Sequence, residues 1–223
     1  MSATPAVGIV GAGFGGLAAA LELKGAGIDS FTVLEREGEV GGVWQANTYP
    51  GAACDVPSVI YQFSRHLKPN WSRRFGRQAE IRDYLREVSI ETGVREHIRF
   101  HTEVVAATFV ERAAVWQVET ADGQTLSFDV LICATGQLSR PRLPELGAPE
   151  AFQGAQFHSA EWDHSVELAG RRVVVVRVAL SPGAATDGPA AARVGGPPAS
   201  FDPQGGQRPG EGGRGDARLR ARL

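Results

Sequence analysis

Short apolar runs alternate along this chain with longer stretches in which apolar residues recur at helical spacing. Val7, Gly8, Ile9 and Val10 read as a strand. The Ala- and Leu-rich run LAAALELKGAG predicts a helix that Gly25 and Gly27 stop. SFTVLE predicts a second strand, ending on Glu35. WSRRFGRQAEIRDYLREVSIETGV predicts a loop and then an amphipathic helix with Ile81, Leu85, Val88 and Ile90 inward; Arg73, Arg74, Arg77, Arg82 and Arg86 form its solvated side. ATFVERAAVWQVETADGQTLSFDVLICA alternates apolar and polar positions, which predicts three antiparallel strands with turns at Glu111-Arg112 and Asp122-Gly123. The segment ends in a further apolar strand, Val130 to Ala134. Val173 to Val176 is a β-branched run with the look of a buried parallel strand.

Together these elements predict an α/β, Rossmann-like domain. Its parallel sheet takes Val7–Val10, Phe31–Leu34, a strand near Arg99–Thr102 and Val130–Ala134, with a small antiparallel β-meander on top.

The chemistry is concentrated at the ends of these strands. GAGFGG follows the first strand, with Gly11, Gly13 and Gly16 at GxGxxG spacing. Gly11 permits the tight turn, Gly13 lets a pyrophosphate approach the backbone, and Gly16 lets helix and strand pack closely. The helix N-terminus then offers free N–H groups to phosphates. Glu35 stands where a carboxylate accepts hydrogen bonds from adenosine ribose hydroxyls, and its charge argues against a 2′-phosphate. A lone GxGxxG is also compatible with an ordinary glycine turn. Strand, loop, helix, strand and acid in order point instead to a dinucleotide site for FAD or NAD.

Two later features favour FAD over the NAD site of a simple dehydrogenase. Gly41, Gly42 and Trp44 follow Glu35 closely, and a glycine pair there suits a loop packed against an extended cofactor. The strand ending at Ala134 runs into Thr135-Gly136, a small-residue turn that can approach the cofactor from the far side or simply lead into a loop.

Composition narrows the classes. A net charge of -2 in 223 residues gives no electrostatic case for nucleic acid or an anionic membrane. No apolar run reaches the ~20 residues of a membrane span, and the N-terminus has no basic leader region. Cys54 and Cys133, the two cysteines, predict reduced thiols in a cytoplasmic protein. No metal site is predicted.

The order GAGFGG, GGVWQANTYPGAACDVPS, ATGQLSRPRLP and FQGAQFHSAEWDHS resembles the flavin-containing monooxygenases. More narrowly, it resembles the type I Baeyer–Villiger monooxygenases of the 4-hydroxyacetophenone and cyclohexanone monooxygenase branch. The fingerprint of that family, FxGxxxHxxxW followed by Pro or Asp, is met by Phe152, Gly154, His158, Trp162 and Asp163. The resemblance implies FAD and NADPH as cofactors, with a ketone and O2 as substrates and an ester or lactone as product. It carries Phe14, Gly15, Glu35, Val43, Trp44, Asp55, Tyr61 and Val104 over as FAD contacts, beside Gly11, Gly13, Gly16, Gly42, Thr135 and Gly136. Asp55 is implied to lie near the flavin and tune the site, although spacing alone equally makes it a turn carboxylate before Pro57. The fingerprint is implied to lie in the linker between FAD and NADP domains, so His158 is given no acid–base role. An N- or S-oxygenating flavin monooxygenase, or a non-catalytic FAD-binding remnant, is the alternative.

The resemblance runs from Val7 to Val176. It divides the chain into an FAD-binding segment at 1–148, a linker motif and the start of an NADP domain at 149–180, and a tail at 181–223. A second glycine loop belongs at 177, yet Arg177, Val178, Ala179, Leu180, Ser181 and Pro182 stand there. The tail holds ten Gly, six Pro and six Arg but few large apolar residues, so it is expected to lack stable structure. Arg outnumbers Lys 21 to two, the mark of GC-rich coding, and a tail of Gly, Ala, Arg and Pro is what a shifted reading frame in such DNA produces. A frameshifted tail and a truncated, inactive chain are therefore the expectation; a natural linker after a truncated domain is the alternative.

Overall fold

The computed structural model describes residues 4–141, 143, 152–177 and 190–194. Strands β1 (Val7–Val10), β2 (Phe31–Leu34), β3 (Ile98–Arg99) and β7 (Val130–Cys133) form a parallel sheet in the order β3-β2-β1-β7. Strands β4 (Val104–Val110), β5 (Val115–Thr120) and β6 (Thr125–Phe128) form the expected antiparallel meander. Helices α1 (Phe14–Gly25), α2 (Val43–Ala46) and α3 (Gln78–Glu91) complete this part.

The two-residue period of the strands sorts their side chains between two faces. Val7 and Ile9 of β1, with Phe31 and Val33 of β2, enter the main core. Leu17 and Ala20 of α1 and Ile81, Tyr84, Leu85 and Val88 of α3 complete that core. On the opposite face Leu34 meets Val118 and Phe128 of the meander. Gly8 points to this second face, where a β-carbon would lie 2.6 Å from the Phe128 ring. The absent side chain thus lets the meander close onto β1. The layers are helices, parallel sheet and meander, and they leave the C-terminal ends of β1, β2 and β7 side by side.

Several expectations change. Ile90 is exposed rather than inward, because one residue past Ser89 the helix turns its face to solvent; Tyr84 and Ser89 are buried instead. The strand foreseen near Arg99–Thr102 is β3 at Ile98–Arg99, ended by His101 in a left-handed conformation (φ 53°). GGVW is not only a loop, since Val43–Ala46 makes one helical turn.

The larger departures follow the meander. The fingerprint segment, given no secondary structure in advance, carries regular structure. It forms β8 (Ala155–His158) and a 3-10 turn, Ser159–Glu161. The run expected as a buried parallel strand is β9 (Val173–Arg177), which pairs antiparallel with β10 (Ala190–Val194) and leaves Val174 and Val175 more than half exposed. β10 also pairs antiparallel with β8, so five residues of the segment expected to lack structure are a strand. Backbone pairing between two β-branched or alanine-rich runs here overrides the composition of the surrounding tail. The rest of the 181–223 expectation lies outside the described residues.

Candidate functional site

The glycine loop joins β1 to α1 at the C-terminal edge of the parallel sheet. Gly11 has φ 98°, a backbone state open to glycine, and its N–H bonds the Leu34 carbonyl at 2.8 Å. A β-carbon there would lie 2.7 Å from the Ala134 carbonyl oxygen, and one on Gly16 would lie 1.8 Å from the Gly11 carbonyl oxygen. The loop is therefore squeezed between β7 and α1. Gly13 is the extended residue that opens α1, and no side chain caps the helix. No acidic residue occupies its first turn, so the free N–H groups of this 12-residue helix are left for an anion.

Ala12, fully buried, is the hub of the loop. Its N–H donates to Glu35 Oε2 at 2.6 Å, and its carbonyl accepts from the Gly41 N–H at 3.0 Å. One residue thereby ties the first glycine loop to both Glu35 and the second glycine pair. Glu35 Oε1 accepts from the Glu37 N–H at 2.9 Å. Each carboxylate oxygen has two lone pairs, so both keep one acceptor position for a vicinal diol. Gly42 touches Gly13 across the loops: a β-carbon on Gly42 would sit 3.1 Å from the Gly13 Cα.

Beyond Gly42 the site is walled by aromatic side chains. The Trp44 indole N–H donates to the Tyr61 hydroxyl at 3.1 Å. Burial pushes the Tyr61 hydroxyl pKa up, the Trp44 hydrogen bond opposes this, and the Cys54 and Asp55 charges add to the rise. Phe14 turns its ring inward against Tyr61 at 4.8 Å and Phe63 at 5.2 Å, where it packs on the main core. Val43 opens α2 beside Trp44.

Asp55 is exposed at the tip of a loop held by backbone bonds from Cys54 N–H to the Gly76 carbonyl and from Ser58 N–H to the Arg74 carbonyl, 2.9 and 2.7 Å long. Val104 begins β4 and packs beside Leu34, and the Thr102 N–H bonds the Glu35 carbonyl at 2.8 Å, which holds this segment next to the acid. Thr135 and Gly136 are exposed beyond the end of β7, next to Gly11.

The fingerprint residues Phe152, Gly154, His158, Trp162 and Asp163 fall on and around β8 and the 3-10 turn that follows it. The 3-10 turn touches α2, and His164 Nε2 lies 2.8 Å from Thr48 Oγ1. His158 is buried, its Nδ1 accepts from the Ala160 N–H at 3.1 Å, and Trp162 packs edge-on to Phe157 at 5.1 Å. Asp163 caps the next turn through the Ser165 N–H and hydroxyl.

Sequence reasoning missed two contributors. Ala12 acts through its peptide, which no residue type announces. Ala134 supplies the methyl beneath Gly15 and Gly16, 3.7 and 3.6 Å from their β-positions. Among the described residues no group of His, Cys, Asp or Glu is placed to hold a metal, and no helix is long and apolar enough to cross a membrane.

Residues 4–189 match the model of the flavin-binding monooxygenase-like family. A Baeyer–Villiger monooxygenase of Streptomyces coelicolor is 47% identical over 175 residues, covering 78% of this chain and 34% of that protein. A Baeyer–Villiger monooxygenase of Pseudomonas aeruginosa is 40% identical over 175 residues, covering 78% of this chain and 33% of that protein. Among solved structures, cyclohexanone monooxygenase of Rhodococcus sp. Phi1 bound to NADP+ superposes with a TM-score of 0.68 at 33% identity, over 75% of this chain and 32% of that one. The chain thus spans about a third of the length of the relatives it matches.

Proposed function

This chain belongs to the flavin-binding monooxygenase-like family, and from that premise we propose that it holds FAD as the N-terminal part of a Baeyer–Villiger-type monooxygenase. The observation that carries the reading is the cradle at the ends of β1 and β2. Gly11, Gly13 and Gly16 leave room for a pyrophosphate at the N-terminus of α1, and Glu35 keeps one acceptor position on each oxygen. The donor set fits FAD: unfilled N–H groups for the diphosphate, a buried carboxylate for the ribose, no cradle for a 2′-phosphate. Gly15, Gly42, Val43, Trp44, Asp55, Tyr61, Val104, Thr135 and Gly136 complete the proposed contacts.

Bound FAD supplies electron transfer and O2 activation. The protein's own contribution is placement and charge. Ala12 fixes Glu35 in the acceptor geometry that orients the ribose. Trp44, hydrogen-bonded to Tyr61, walls the site beyond Gly42 and keeps water from that side. Asp55 places a carboxylate at the exposed mouth. The substrate class we infer, a ketone with O2, follows from the resemblance to Baeyer–Villiger monooxygenases and belongs to the whole protein.

The described residues do not fit an NADPH cradle. β9 pairs antiparallel with β10, and no Gly-x-Gly directly follows Val176, where Arg177 to Pro182 stand. This favours a chain that binds FAD yet does not oxidise NADPH by itself.

Titration of the purified chain with FAD, followed by flavin fluorescence, tests the reading. Saturable quenching is expected, and Glu35→Ala should weaken it at least ten-fold. Anaerobic NADPH should leave the bound flavin oxidised. No saturable binding overturns the FAD assignment, and rapid bleaching overturns the view that the nicotinamide site is missing.

A further inference from the structure

We propose that Arg36 is the adenine-binding strap of this site: its guanidinium lies across the crevice above β1 and stacks on the adenine base of the bound dinucleotide. The inference deepens the FAD reading and rests on it.

The argument starts from topology. Arg36 follows β2 and Ser139 follows β7, and both strands flank β1 in a parallel sheet, so both residues stand at its C-terminal edge. Two strand spacings of about 4.8 Å separate β2 from β7. Arg36 Nη2 nevertheless donates to the Ser139 carbonyl at 3.3 Å. The side chain therefore ties the segment after β2 to the segment after β7, the two strands between which β1 enters the glycine loop. Open α/β sheets bind their ligands in this crevice.

The second observation is how the guanidinium is held. Its Nε donates to Glu37 Oε1 at 3.2 Å, and the neighbouring Glu37 N–H is fixed on Glu35 Oε1. Nε and Nη2 are both engaged in the plane of the group, which leaves its faces open. A planar cation with in-plane hydrogen bonds is suited to stack on an aromatic base. Its neighbour in sequence, Glu35, orients the ribose, so the next group outward along an adenosine is the base. Charge alone would direct Arg36 to the diphosphate, but α1 already meets the diphosphate with its N-terminus on the other side of Glu35.

The test uses the 223-residue chain and FAD fluorescence, with ADP and inorganic pyrophosphate as displacers, for the natural protein, Arg36→Ala and Arg36→Gln. Arg36 is exposed, and thermal unfolding checks that the variants fold; the Gln variant repeats the comparison should the Ala variant not. Both substitutions should weaken FAD and ADP about five-fold and leave pyrophosphate unchanged. Unchanged ADP affinity, or an equal loss for pyrophosphate, overturns the adenine contact and leaves the FAD reading standing. If the natural chain binds neither FAD nor ADP, both fall.

Discussion

A β-carbon on Gly16 would lie 1.8 Å from the carbonyl oxygen of Gly11. Neither atom can yield without moving backbone, because Gly11 closes β1 and Gly16 sits in the first turns of α1. Gly16→Ala should therefore force α1 off the sheet and destabilise the protein by roughly 3 kcal/mol. Gly15→Ala is the control. Its β-carbon meets only the Ala134 methyl at 3.7 Å, an ordinary contact, and alanine is the better helix former. Urea midpoints should fall sharply for the first variant and hold or rise for the second. Equal midpoints would show that the strand–helix approach is looser than this geometry.

Glu35 is asked to do two things with one carboxylate. It accepts the Ala12 and Glu37 N–H groups and, in the proposed complex, two ribose hydroxyls. Glu35→Gln turns one acceptor into a donor facing an N–H. That should cost about 2 kcal/mol of stability and lower FAD affinity at least ten-fold. Equilibrium unfolding and flavin titration measure the two effects separately. A stable variant with unchanged affinity would remove Glu35 from the site.

The glycine loop, the acid and the meander were legible because each has a short-range cause: a positive φ, a strand end, a period of two. The strands of the parallel sheet were legible as short apolar runs, while their order β3-β2-β1-β7 was not. Other features depend on what lies opposite in space. The ring of Phe14 sits in a motif position yet turns inward, since Tyr61, Phe63 and Tyr84 arrive from distant segments to enclose it. β9 has the residues of a buried parallel strand but takes an antiparallel partner from a stretch whose composition argued for none. Ala12 escaped notice because its role belongs to its peptide group.

The segment between Glu35 and Gly42 is held from outside by one carboxylate. Glu39 receives both Nη groups of Arg95 and, 3.2 Å away, Nε of Arg86. Burial raises its pKa, but the Arg95 hydrogen bond, the Val40 N–H and the charges of Arg95 and Arg86 together outweigh burial and hold it below the ordinary 4.5. A depressed folded-state pKa stabilises the fold above the unfolded value, and that contribution is lost as pH falls through the folded one. Glu39→Gln should cost on the order of 1 kcal/mol at pH 7 and progressively less below pH 4.5. Chemical unfolding of both proteins from pH 7 to 3 should show converging stabilities. Parallel curves would mean that the ion pairs do not fix the loop.

His158 gives a pH dependence of the same sign in a higher window. Its Nδ1 accepts the Ala160 N–H and is therefore unprotonated, and burial pushes its pKa below the ordinary 6.5, only partly offset by the Glu161 charge. The folded protein keeps this imidazole neutral while the unfolded chain protonates it. Between the two pKa values the unfolded state binds the extra proton, so stability falls as pH drops below about 6.5 and levels off at the folded pKa. Each pH unit in that window removes at most about 1.4 kcal/mol. In His158→Asn the side-chain oxygen can still accept the Ala160 N–H but cannot titrate. The natural protein should therefore lose stability relative to His158→Asn from pH 7 to 5, with the two curves parallel above pH 7.5. Because the 3-10 turn that follows His158 touches α2, the same acid-induced loosening should reach the tryptophan next to the flavin loop. Trp44→Phe subtracts that signal from the intrinsic fluorescence. A pH-independent difference between the two proteins would show that His158 is not held neutral by the fold.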